Sequence, residues 1–447
     1  MAEKRIYVCQ ECGHRHPQWL GRCPSCGQWG TFQEETTRPH YPSPQTKTDI
    51  QILKPDTGEE RRLRTSFAEF NRTLGGGFVE GSVVLLGGAP GIGKSTLLLQ
   101  VLDDLASQGI KVLYCSSEES VRQIRSKLRR FPLRSEGFPG ISSPYLEDVI
   151  EAAEREHPRI LALDSLQATA LQEIPSPPGS ILQVREVTSR LMKLAKREEM
   201  VVVLVGHVTK EGLIAGPKTV EHLVDVVLYF EQGTEGPFRI LRSVKNRFGS
   251  TNEVGVFQMT EKGLVEVPNP SGVFLSERPE GSPGTVVMPA LEGSRPLLVE
   301  IQALVAPSPG GSWKRMAMGI DHYRLQLLVG VIEKRVGLDL SHCDVFVNVV
   351  GGIKVFEPAA DLAVVAALIS SHLERALPAD CVVFGEVGLT GEVRGALYAR
   401  ERLEEAKRLG FSQAIIPKSN AGLSPEGVDV VGIREVRELL RFIGTSL

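Results

Sequence analysis

The chain has 447 residues, and its 51 lysines and arginines against 54 aspartates and glutamates give a formal charge of −3. Apolar residues make up 42% and charged residues 23%, which is ordinary for a globular protein and excludes wholesale disorder. At about 100–200 residues per domain, the length predicts two to four domains. The near-neutral charge argues weakly against a surface coated with basic residues for nucleic acid.

No apolar run approaches the ~18–20 residues that span a bilayer, and one of the longest, Met200 to Val205, has the length of a strand. Near the N-terminus, Lys4 and Arg5 are followed by Cys9 and polar residues rather than by the apolar core of a signal peptide. We therefore expect a cytoplasmic protein with no membrane partner.

The first 26 residues contain four of the seven cysteines, Cys9, Cys12, Cys23 and Cys26, with the spacing C-x2-C-x10-C-x2-C. Each C-x2-C pair presents two thiolates to one ion, and two such pairs complete a tetrahedral S4 site for zinc. Two disulfides or redox chemistry are the alternatives, and a cytoplasmic location disfavours the disulfides. The spacing therefore predicts a C4 zinc finger over residues 1–34 with one structural Zn²⁺.

The same segment mixes cations with aromatic residues: Arg15, Trp19, Arg22 and Trp29. Two tryptophans beside arginines could stack on nucleic-acid bases, or they could fill the small core of the zinc finger, which is the outcome that we expect. The following residues, 35–65, are rich in proline and lack an apolar period, so they predict a linker with a short strand at 50–53.

A strand-like run, 83–86, leads into a glycine-rich loop and then into an apolar helical stretch. The loop matches G-x4-G-K-[ST] in the strand-loop-helix context that this motif requires. Its main-chain N–H groups would cradle phosphate oxygens, Lys94 would neutralise the β- and γ-phosphates, and Ser95 would hold Mg²⁺. The predicted ATP-binding residues are Gly88, Ala89, Pro90, Gly91, Ile92, Gly93, Lys94, Ser95 and Thr96.

Alternating strands and helices follow, as a parallel sheet requires, with strands predicted at 111–115, 159–163, 200–205 and 224–230. Polar residues stand where these strands end, and strand ends are where such sheets bind ligands. Asp164 completes a Walker B pattern and would support Mg²⁺. Glu118 or Glu119 is the candidate base that activates water, unless the pair caps the next helix. His207 or Thr209 is the candidate γ-phosphate sensor.

Residues 121–130 predict an amphipathic helix with a basic face, which is more typical of a solvated surface than of a DNA contact. The segment 210–218 contains Gly212, Gly216 and Pro217, a composition that indicates flexibility. A further strand is predicted at 238–244, and it is followed by Lys245-Asn246-Arg247-Phe248-Gly249. Two cations on a glycine-ended loop suit contact with phosphate, either of ATP in a neighbouring subunit or of a DNA backbone.

Five segments, G-A-P-G-I-G-K-S-T, Y-C-S-S-E-E-S, I-L-A-L-D-S, V-G-H-V-T-K-E-G and K-N-R-F-G, resemble the RadA (Sms) family of bacterial recombination and repair proteins. The match covers essentially the whole chain. It implies an α/β fold, with a RecA-type parallel-sheet P-loop core over residues 66–270. A small zinc ribbon would precede this core, and an α+β Lon-peptidase-like domain would follow it over residues 271–447. By the same resemblance, segment 210–218 corresponds to a DNA-facing loop.

The C-terminal segment departs from Lon where catalysis would occur. The nucleophilic serine of Lon lies in G-P-S-A-G, and the matching stretch here is Glu357-Pro-Ala-Ala-Asp361, so Ala359 stands at the serine position. The general-base lysine corresponds to Arg400, which stays protonated. We therefore predict an inactive peptidase that serves assembly and DNA binding. Its candidate basic contacts are Arg315, Arg324, Lys334, Arg335, Lys354 and Arg394.

The leading hypothesis from the resemblance is a DNA-dependent ATPase of homologous recombination and repair. Its DNA contacts would be clustered rather than spread over the near-neutral surface. As a hexameric ring helicase it would process branched intermediates by branch migration or D-loop extension, close to the nucleoid. Glu118 and Lys94 would act in catalysis, and Lys245 and Arg247 on ATP in trans or on DNA. The implied partners are single-stranded and branched DNA, a recombinase and other repair proteins. A nucleotide-gated scaffold without motor activity and an ATP-driven protease are the alternatives.

Overall fold

The computed structural model describes residues 5–36, 61–207, 219–232, 238–251, 253–276, 278–279, 281–308, 313–351 and 354–443. The predicted strand at 50–53, the sensor candidate Thr209 and the predicted loop 210–218 lie outside these residues. The chain forms two compact units. The first comprises residues 1–231, 241–251 and 259–265, and the second comprises residues 232–240, 252–258 and 266–447. The predicted boundary between residues 270 and 271 stays a prediction.

The N-terminal segment folds as a three-stranded antiparallel ribbon in the order β2-β1-β3. Its strands are β1 (Arg5–Cys9), β2 (Arg15–His16) and β3 (Phe32–Thr36). Cys9, Cys23 and Phe32 form its small buried cluster. Because so few side chains are buried, this segment depends on a cross-link or a metal for its stability.

The central part of the chain opens with a two-stranded antiparallel pair that encloses a short helix, namely β4 (Arg62–Leu63), α1 (Ala68–Thr73) and β5 (Phe78–Val79). A nine-stranded sheet follows, in the order β14-β13-β12-β11-β6-β10-β9-β7-β8. Its strands are β6 (Val83–Gly88), β7 (Val112–Ser116), β8 (Gly140–Ser142), β9 (Ile160–Asp164), β10 (Val201–His207), β11 (Val226–Gln232), β12 (Phe238–Asn246), β13 (Val254–Thr260) and β14 (Gly263–Glu266). The strands predicted for this core are present, with ends within two residues of those expected.

Five helices accompany this sheet: α2 (Lys94–Ser107), α3 (Val121–Leu128), α4 (Leu146–Glu156), α5 (Ile181–Arg197) and α6 (Thr219–Leu223). Strands β6 to β11 pair in parallel. The register aligns Gly88 with His207 and Asp164 with Ser116. The ends of four neighbouring strands therefore meet at one edge of the sheet, where a ligand site is expected.

The C-terminal unit contains a seven-stranded mixed sheet in the order β17-β18-β16-β15-β19-β22-β23, and a separate pair, β20-β21. The strands are β15 (Thr285–Glu292), β16 (Arg295–Pro307), β17 (Arg315–Met318), β18 (Cys343–Val349), β19 (Cys381–Val383), β20 (Glu386–Val387), β21 (Val393–Arg394), β22 (Gln413–Pro417) and β23 (Asp429–Ile433). The helices are α7 (Pro270–Leu275), α8 (His322–Val331), α9 (Asp361–His372) and α10 (Ala399–Arg408).

Both faces of this second sheet are covered, as the period of two in β15 shows. Val286 and Met288 join the core that contains α8 and α9, whereas Val287 joins the core that contains α10. Helix α7 begins at Pro270, beside the predicted boundary between residues 270 and 271. The predicted α/β fold class is confirmed, because a three-stranded ribbon, a largely parallel sheet with helices and a mixed sheet with helices follow one another along the chain. Among the described residues, no helix is both long and apolar enough to cross a membrane.

Candidate nucleotide-binding site

The P-loop connects β6 to α2, and two of its glycines are required by the local backbone. Gly88 has φ +157° and Gly93 has φ +115°, and a Cβ atom on Gly88 would lie 2.5 Å from the carbonyl oxygen of Phe230. A Cβ atom on Gly93 would lie 2.7 Å from Cε of Met259. Side chains at these positions would collide with neighbouring strands, so the tight loop that leads into the N-terminus of α2 requires glycine.

Lys94 is the first residue of α2 and is buried beside the loop. Its Nζ donates hydrogen bonds to the carbonyl oxygens of Gly88 at 2.8 Å and Ala89 at 2.9 Å. Burial lowers the pKa of this ammonium, and the negative charges of Asp164 and Glu118 act in the opposite direction. The cation is thus held at the mouth of the loop, within a site that also contains two carboxylates.

A cavity of about 480 Å³ brings the predicted Walker residues together. Ser95 and Thr96 line it from the start of α2, and Asp164 lines it from the end of β9. A serine hydroxyl and a nearby carboxylate are oxygen ligands of the kind that Mg²⁺ accepts together with nucleotide phosphates. These residues therefore fit a Mg–nucleotide, with Ser95 and Asp164 as the side chains that would hold the ion.

The two glutamates after β7 have different surroundings. The Glu119 carboxylate pairs with Lys127 Nζ at 2.5 Å, and its main-chain N–H donates to the Ser116 hydroxyl. The Glu118 carboxylate accepts a hydrogen bond from the Ser165 hydroxyl and remains about half exposed within the cavity. Glu119 is neutralised by its partner, so Glu118 is the better placed of the two to accept a proton from water.

His207, at the end of β10, connects the base candidate with the P-loop lysine. Its Nε2 lies 3.5 Å from Glu118 Oε1, and its Nδ1 lies 3.4 Å from Lys94 Nζ. The carboxamide of Gln167 donates to the main-chain oxygen of His207 at 3.1 Å. The sequence reasoning missed Gln167, although it stands three residues after Asp164 at the same edge of the sheet.

The K-N-R-F-G segment ends β12 and holds the start of β11. Lys245 Nζ donates to three main-chain oxygens at the end of α6 and directly after it, at distances of 2.7–3.1 Å from those of Glu221, His222 and Val224. Burial and the neighbouring Arg247 cation lower the pKa of Lys245. Lysine at this position therefore ties K-N-R-F-G to helix α6, which directly follows segment 208–218 in the chain.

Arg247 lies two residues after Lys245 in K-N-R-F-G. Its side chain is held by an ion pair but remains half exposed. Its Nη1 pairs with Asp225 Oδ1 at 2.8 Å, while Asp225 Oδ2 accepts the main-chain N–H of Val83. Arg62 donates to the carbonyl oxygen of Phe248 at 2.7 Å, and Asn246 is buried. Neither Lys245 nor Arg247 is among the residues that line the P-loop cavity of the same chain.

Part of the basic surface formed by α3 and the residues directly after it faces the cavity, because Lys127 and Arg130 line it. A capping box between Ser120 and Gln123 begins this helix, and Ile124 is its buried anchor. The remaining arginines of the helix, Arg122, Arg125 and Arg129, are exposed. The basic face is thus divided between the nucleotide cavity and solvent.

The four cysteines of the ribbon fit one zinc ion. Their sulfur atoms all lie within 4.8 Å of one another, with Cys9 and Cys26 separated by 3.6 Å and Cys12 and Cys23 by 3.5 Å. Four ligands about 2.3 Å from a tetrahedral zinc are separated by about 3.8 Å. Burial opposes ionisation of Cys9, but hydrogen bonds from Thr31 and main-chain groups lower its pKa to about 6. The predicted structural zinc is confirmed by this geometry and by the ribbon match below.

The two tryptophans of the ribbon do not pack its core. Trp19 is 56% exposed and Trp29 is 73% exposed, so the expectation that they fill the core was wrong. The buried positions are occupied by Cys9, Cys23 and Phe32 instead, because the cysteines must converge on one point. The guanidinium of Arg22 lies 5.9 Å from the centre of the Trp29 ring.

Ala359 is buried in the C-terminal unit, and charged pairs flank it on both sides. Glu357 pairs with Arg402, and Asp361 pairs with Arg324. Arg400, the residue at the predicted general-base position, is exposed on α10. The positions around Ala359 are therefore occupied by structural ion pairs.

Some of the basic residues proposed for DNA contact in this unit are already engaged. Arg324 pairs with Asp361, Arg394 pairs with Glu392, and Arg315 donates to the main-chain oxygens of Leu340 and Cys343. Lys334, Arg335 and Lys354 are exposed. Of the six candidates, these last three are the better placed to meet a phosphate backbone.

Three parts of the chain match known protein families. Residues 7–34 match the rubredoxin metal binding domain, residues 51–212 match the AAA domain, and residues 334–438 match the Lon protease (S16) C-terminal proteolytic domain. A KaiC-like protein from the hyperthermophilic archaeon Pyrococcus horikoshii is 21% identical, with a TM-score of 0.41, and the match covers 47% of this chain and 100% of that one.

Curated proteins are similar over nearly the whole length. The DNA repair protein RadA of Bacillus subtilis is 48% identical over 450 residues, covering 98% of each chain. The protein of that name from Pseudomonas aeruginosa is 46% identical over 446 residues, again covering 98% of each chain. That of Aquifex aeolicus is 45% identical over 444 residues, covering 98% of this chain and 99% of its own.

Proposed function

The chain belongs to the RadA family of DNA repair proteins, and from this premise we propose that it is a Mg²⁺-dependent, DNA-stimulated ATPase. Its role would be to process branched intermediates of homologous recombination. The observation that carries the proposal is the single cavity that collects Lys94, Ser95, Asp164 and Glu118 at one edge of a parallel sheet.

The chemistry assigned to this cavity is hydrolysis of the γ-phosphate. Main-chain N–H groups of the loop and of the N-terminus of α2 bind phosphate oxygens, and Lys94 stabilises the charge on the β- and γ-phosphates. Bound Mg²⁺ supplies further charge stabilisation and orientation. Glu118 accepts a proton from water as the water oxygen bonds to the γ-phosphorus, and the bond to the β-phosphate oxygen breaks to leave ADP and phosphate.

The half-exposed guanidinium of Arg247 and the nearby Lys245 support a role beyond their own P-loop cavity. In a hexameric ring these cations would face ATP bound by the adjacent subunit, or they would contact a DNA backbone. In either arrangement, the bound nucleotide would influence the end of α6, whose main-chain oxygens accept hydrogen bonds from Lys245. Further DNA contacts are assigned to segment 210–218, to the zinc ribbon and to Lys334, Arg335 and Lys354.

Clustered contacts reconcile DNA binding with a formal charge of −3. A net charge describes the average surface, whereas a ring channel is lined by a few residues repeated in each subunit. We therefore expect modest DNA binding by a monomer. Binding by the assembled ring would be stronger, nucleotide-dependent and weakened by salt.

ATP turnover measured with and without single-stranded DNA tests the proposal. Wild type should be stimulated by DNA, and Lys94→Ala should lower turnover by roughly 100-fold because a phosphate-stabilising donor is lost. Lys196→Ala, which removes an exposed lysine on α5, is the matched control and should behave as wild type. Absence of DNA stimulation in wild type, or normal turnover by Lys94→Ala, would contradict the proposal.

Whether ATP hydrolysis drives strand separation requires a separate measurement. A strand-displacement assay on forked and D-loop substrates, with ATP or a nonhydrolysable analogue, separates a motor from a switch. A helicase displaces the strand only when ATP is hydrolysed. Hydrolysis without displacement would instead indicate the nucleotide-gated scaffold.

A further inference from the structure

Tyr114 is a buried tyrosine in the middle of β7 that has no part in the P-loop or Walker patterns. It is 1% exposed, in a strand whose five residues are all buried. A buried tyrosine normally finds a hydrogen-bond partner for its hydroxyl, because an unpaired phenol costs stability that phenylalanine avoids. The hydrogen-bond partner of Tyr114 is a residue of the proposed active site, and it lies on the adjacent strand β9.

The Tyr114 hydroxyl donates to Asp164 Oδ2 at 2.8 Å, within a fully buried contact. The strand register explains how the two residues meet. Strands β7 and β9 are adjacent and parallel, and Tyr114 lies opposite Ala162, two residues before Asp164. Diagonal neighbours at this spacing are within reach of an aromatic side chain.

Both side chains also lie on the same face of the sheet. Leu113 and Cys115 of β7 and Leu161 and Leu163 of β9 belong to the core on the opposite face. With a period of two, Tyr114 and Asp164 must therefore share the other face. The contact follows from the strand order, and it leaves Asp164 Oδ1 as the carboxylate oxygen without a bond to the phenol.

We infer that Tyr114 is a positioning residue for the Mg²⁺ ligand Asp164: its hydroxyl fixes the carboxylate orientation that the Mg–nucleotide complex requires. Ser95 and Lys94 line the same cavity from α2. A carboxylate that could rotate freely would lose part of its alignment with Ser95. This inference rests on the proposed ATPase function, because it assigns Asp164 to metal binding.

The phenol hydroxyl is the donor of this pair, because an ionised carboxylate only accepts hydrogen bonds. A merely structural tyrosine would contribute packing, which Tyr114→Phe retains, whereas a positioning tyrosine contributes the hydrogen bond, which Tyr114→Phe removes.

Nucleotide affinity in the presence and absence of metal distinguishes these two roles. Dissociation constants of the full-length protein for a fluorescent ADP analogue are measured in Mg²⁺ and in EDTA. For Tyr114→Phe we expect the value in Mg²⁺ to rise by roughly 3- to 10-fold, because only part of the contribution of a hydrogen bond to a charged group is transmitted to the bound metal complex. The value in EDTA should match wild type, and the half-saturating Mg²⁺ concentration should rise in parallel.

Tyr229→Phe is the matched control, because Tyr229 lies on β11 of the same sheet and its hydroxyl donates to the Glu221 carboxylate of α6 at 2.9 Å. This variant should leave both dissociation constants unchanged. In an Asp164→Ala background, adding Tyr114→Phe should have no further effect in Mg²⁺, since the residue that it positions is absent.

Equal weakening of binding in Mg²⁺ and EDTA would overturn the inference, because it would indicate a general disturbance of the site. Unchanged affinity in both buffers would overturn it as well. A wild-type protein that binds Mg–ADP more tightly than ADP but does not hydrolyse ATP would refute the proposed function. In that case the Tyr114 comparison would still be measurable, so the two failures are distinguishable.

Discussion

The buried Arg402 forms an ion pair with the partly buried Glu357, which lies two residues before Ala359 in the segment that resembles a peptidase active site. Arg402 is 1% exposed and also donates to the main-chain oxygens of Pro289 and Leu397. Its guanidinium lies 5.5 Å from the centre of the Phe384 ring. These contacts join α10 to β15 and to the segment that precedes α9, so the pair links three parts of the C-terminal unit.

Arg402→Met should destabilise the protein. Loss of one partner of a buried pair costs about 3–5 kcal/mol, and the lower end applies here because the Glu357 side chain keeps 20% exposure. A lower melting temperature of the C-terminal unit in calorimetry would show this effect. Arg394→Met, which breaks the exposed Arg394–Glu392 pair, is the control and should leave the melting temperature nearly unchanged.

Peptidase activity should be absent, and Ala359→Ser alone should not create it. A serine at this position would still lack a basic group, because Arg400 is exposed and arginine stays protonated. Digestion of fluorescent casein with ATP and DNA is the measurement. Degradation by wild type that a serine-protease inhibitor abolishes would revive the protease hypothesis.

Glu118→Gln and Glu119→Gln should differ in their effect on ATP hydrolysis. We expect Glu118→Gln to lower turnover by about 10²–10⁴-fold, the usual contribution of a general base, while nucleotide affinity is retained. Glu119→Gln should keep most of the activity, because the Glu119 carboxylate is already paired with Lys127. The reverse order of the two effects would assign the base to Glu119.

Contiguous motifs made much of this site predictable. The P-loop, the cysteine spacing and K-N-R-F-G are continuous in the chain, and the alternation of strands and helices indicated the parallel sheet. Tyr114 and Gln167 were not predictable, because their contacts with Asp164 and His207 depend on strand order. Sequence alone does not state that β9 lies between β7 and β10.

The C-terminal unit shows the same division between local and nonlocal information. The resemblance to Lon indicated Arg400, yet Arg402 is the buried arginine. The helical period of α10 carried a signal, since Ala399, Leu403 and Ala406 form its apolar stripe and Arg402 lies on that stripe. An arginine on a buried face requires a carboxylate, and only the folded chain identifies it as Glu357.

Cys23→Ser should lower the zinc content below one ion per chain, because a hydroxyl replaces one of four thiolate ligands around a site with little core of its own. Elemental analysis of the purified protein gives the measurement. Cys343→Ser, in the C-terminal unit, is the matched control and should retain one zinc. Full zinc occupancy in Cys23→Ser would refute the four-ligand site.

Lys245→Ala should abolish most DNA-stimulated ATP turnover while nucleotide binding by the same chain is retained. The expected loss is large, since a cation supplied to a neighbour's phosphates contributes about 10³–10⁵-fold in related NTPases. Arg242→Ala, on the same strand and close to Glu231, is the control and should have little effect. Comparable losses in both variants would indicate damage to β12 rather than removal of a functional cation.

Mixing two inactive variants separates action in trans from the bonds that Lys245 makes within its own chain. In a mixture of Lys245→Ala and Lys94→Ala subunits, some interfaces join an intact P-loop to an intact Lys245. Turnover should therefore recover if Lys245 acts on ATP in the adjacent subunit. If its role is confined to the carbonyl oxygens of Glu221, His222 and Val224, every subunit with an intact P-loop keeps the defect and mixing restores nothing. Recovery on mixing would also require a ring or filament in which subunits exchange, so the same experiment tests the assembly that the proposal needs.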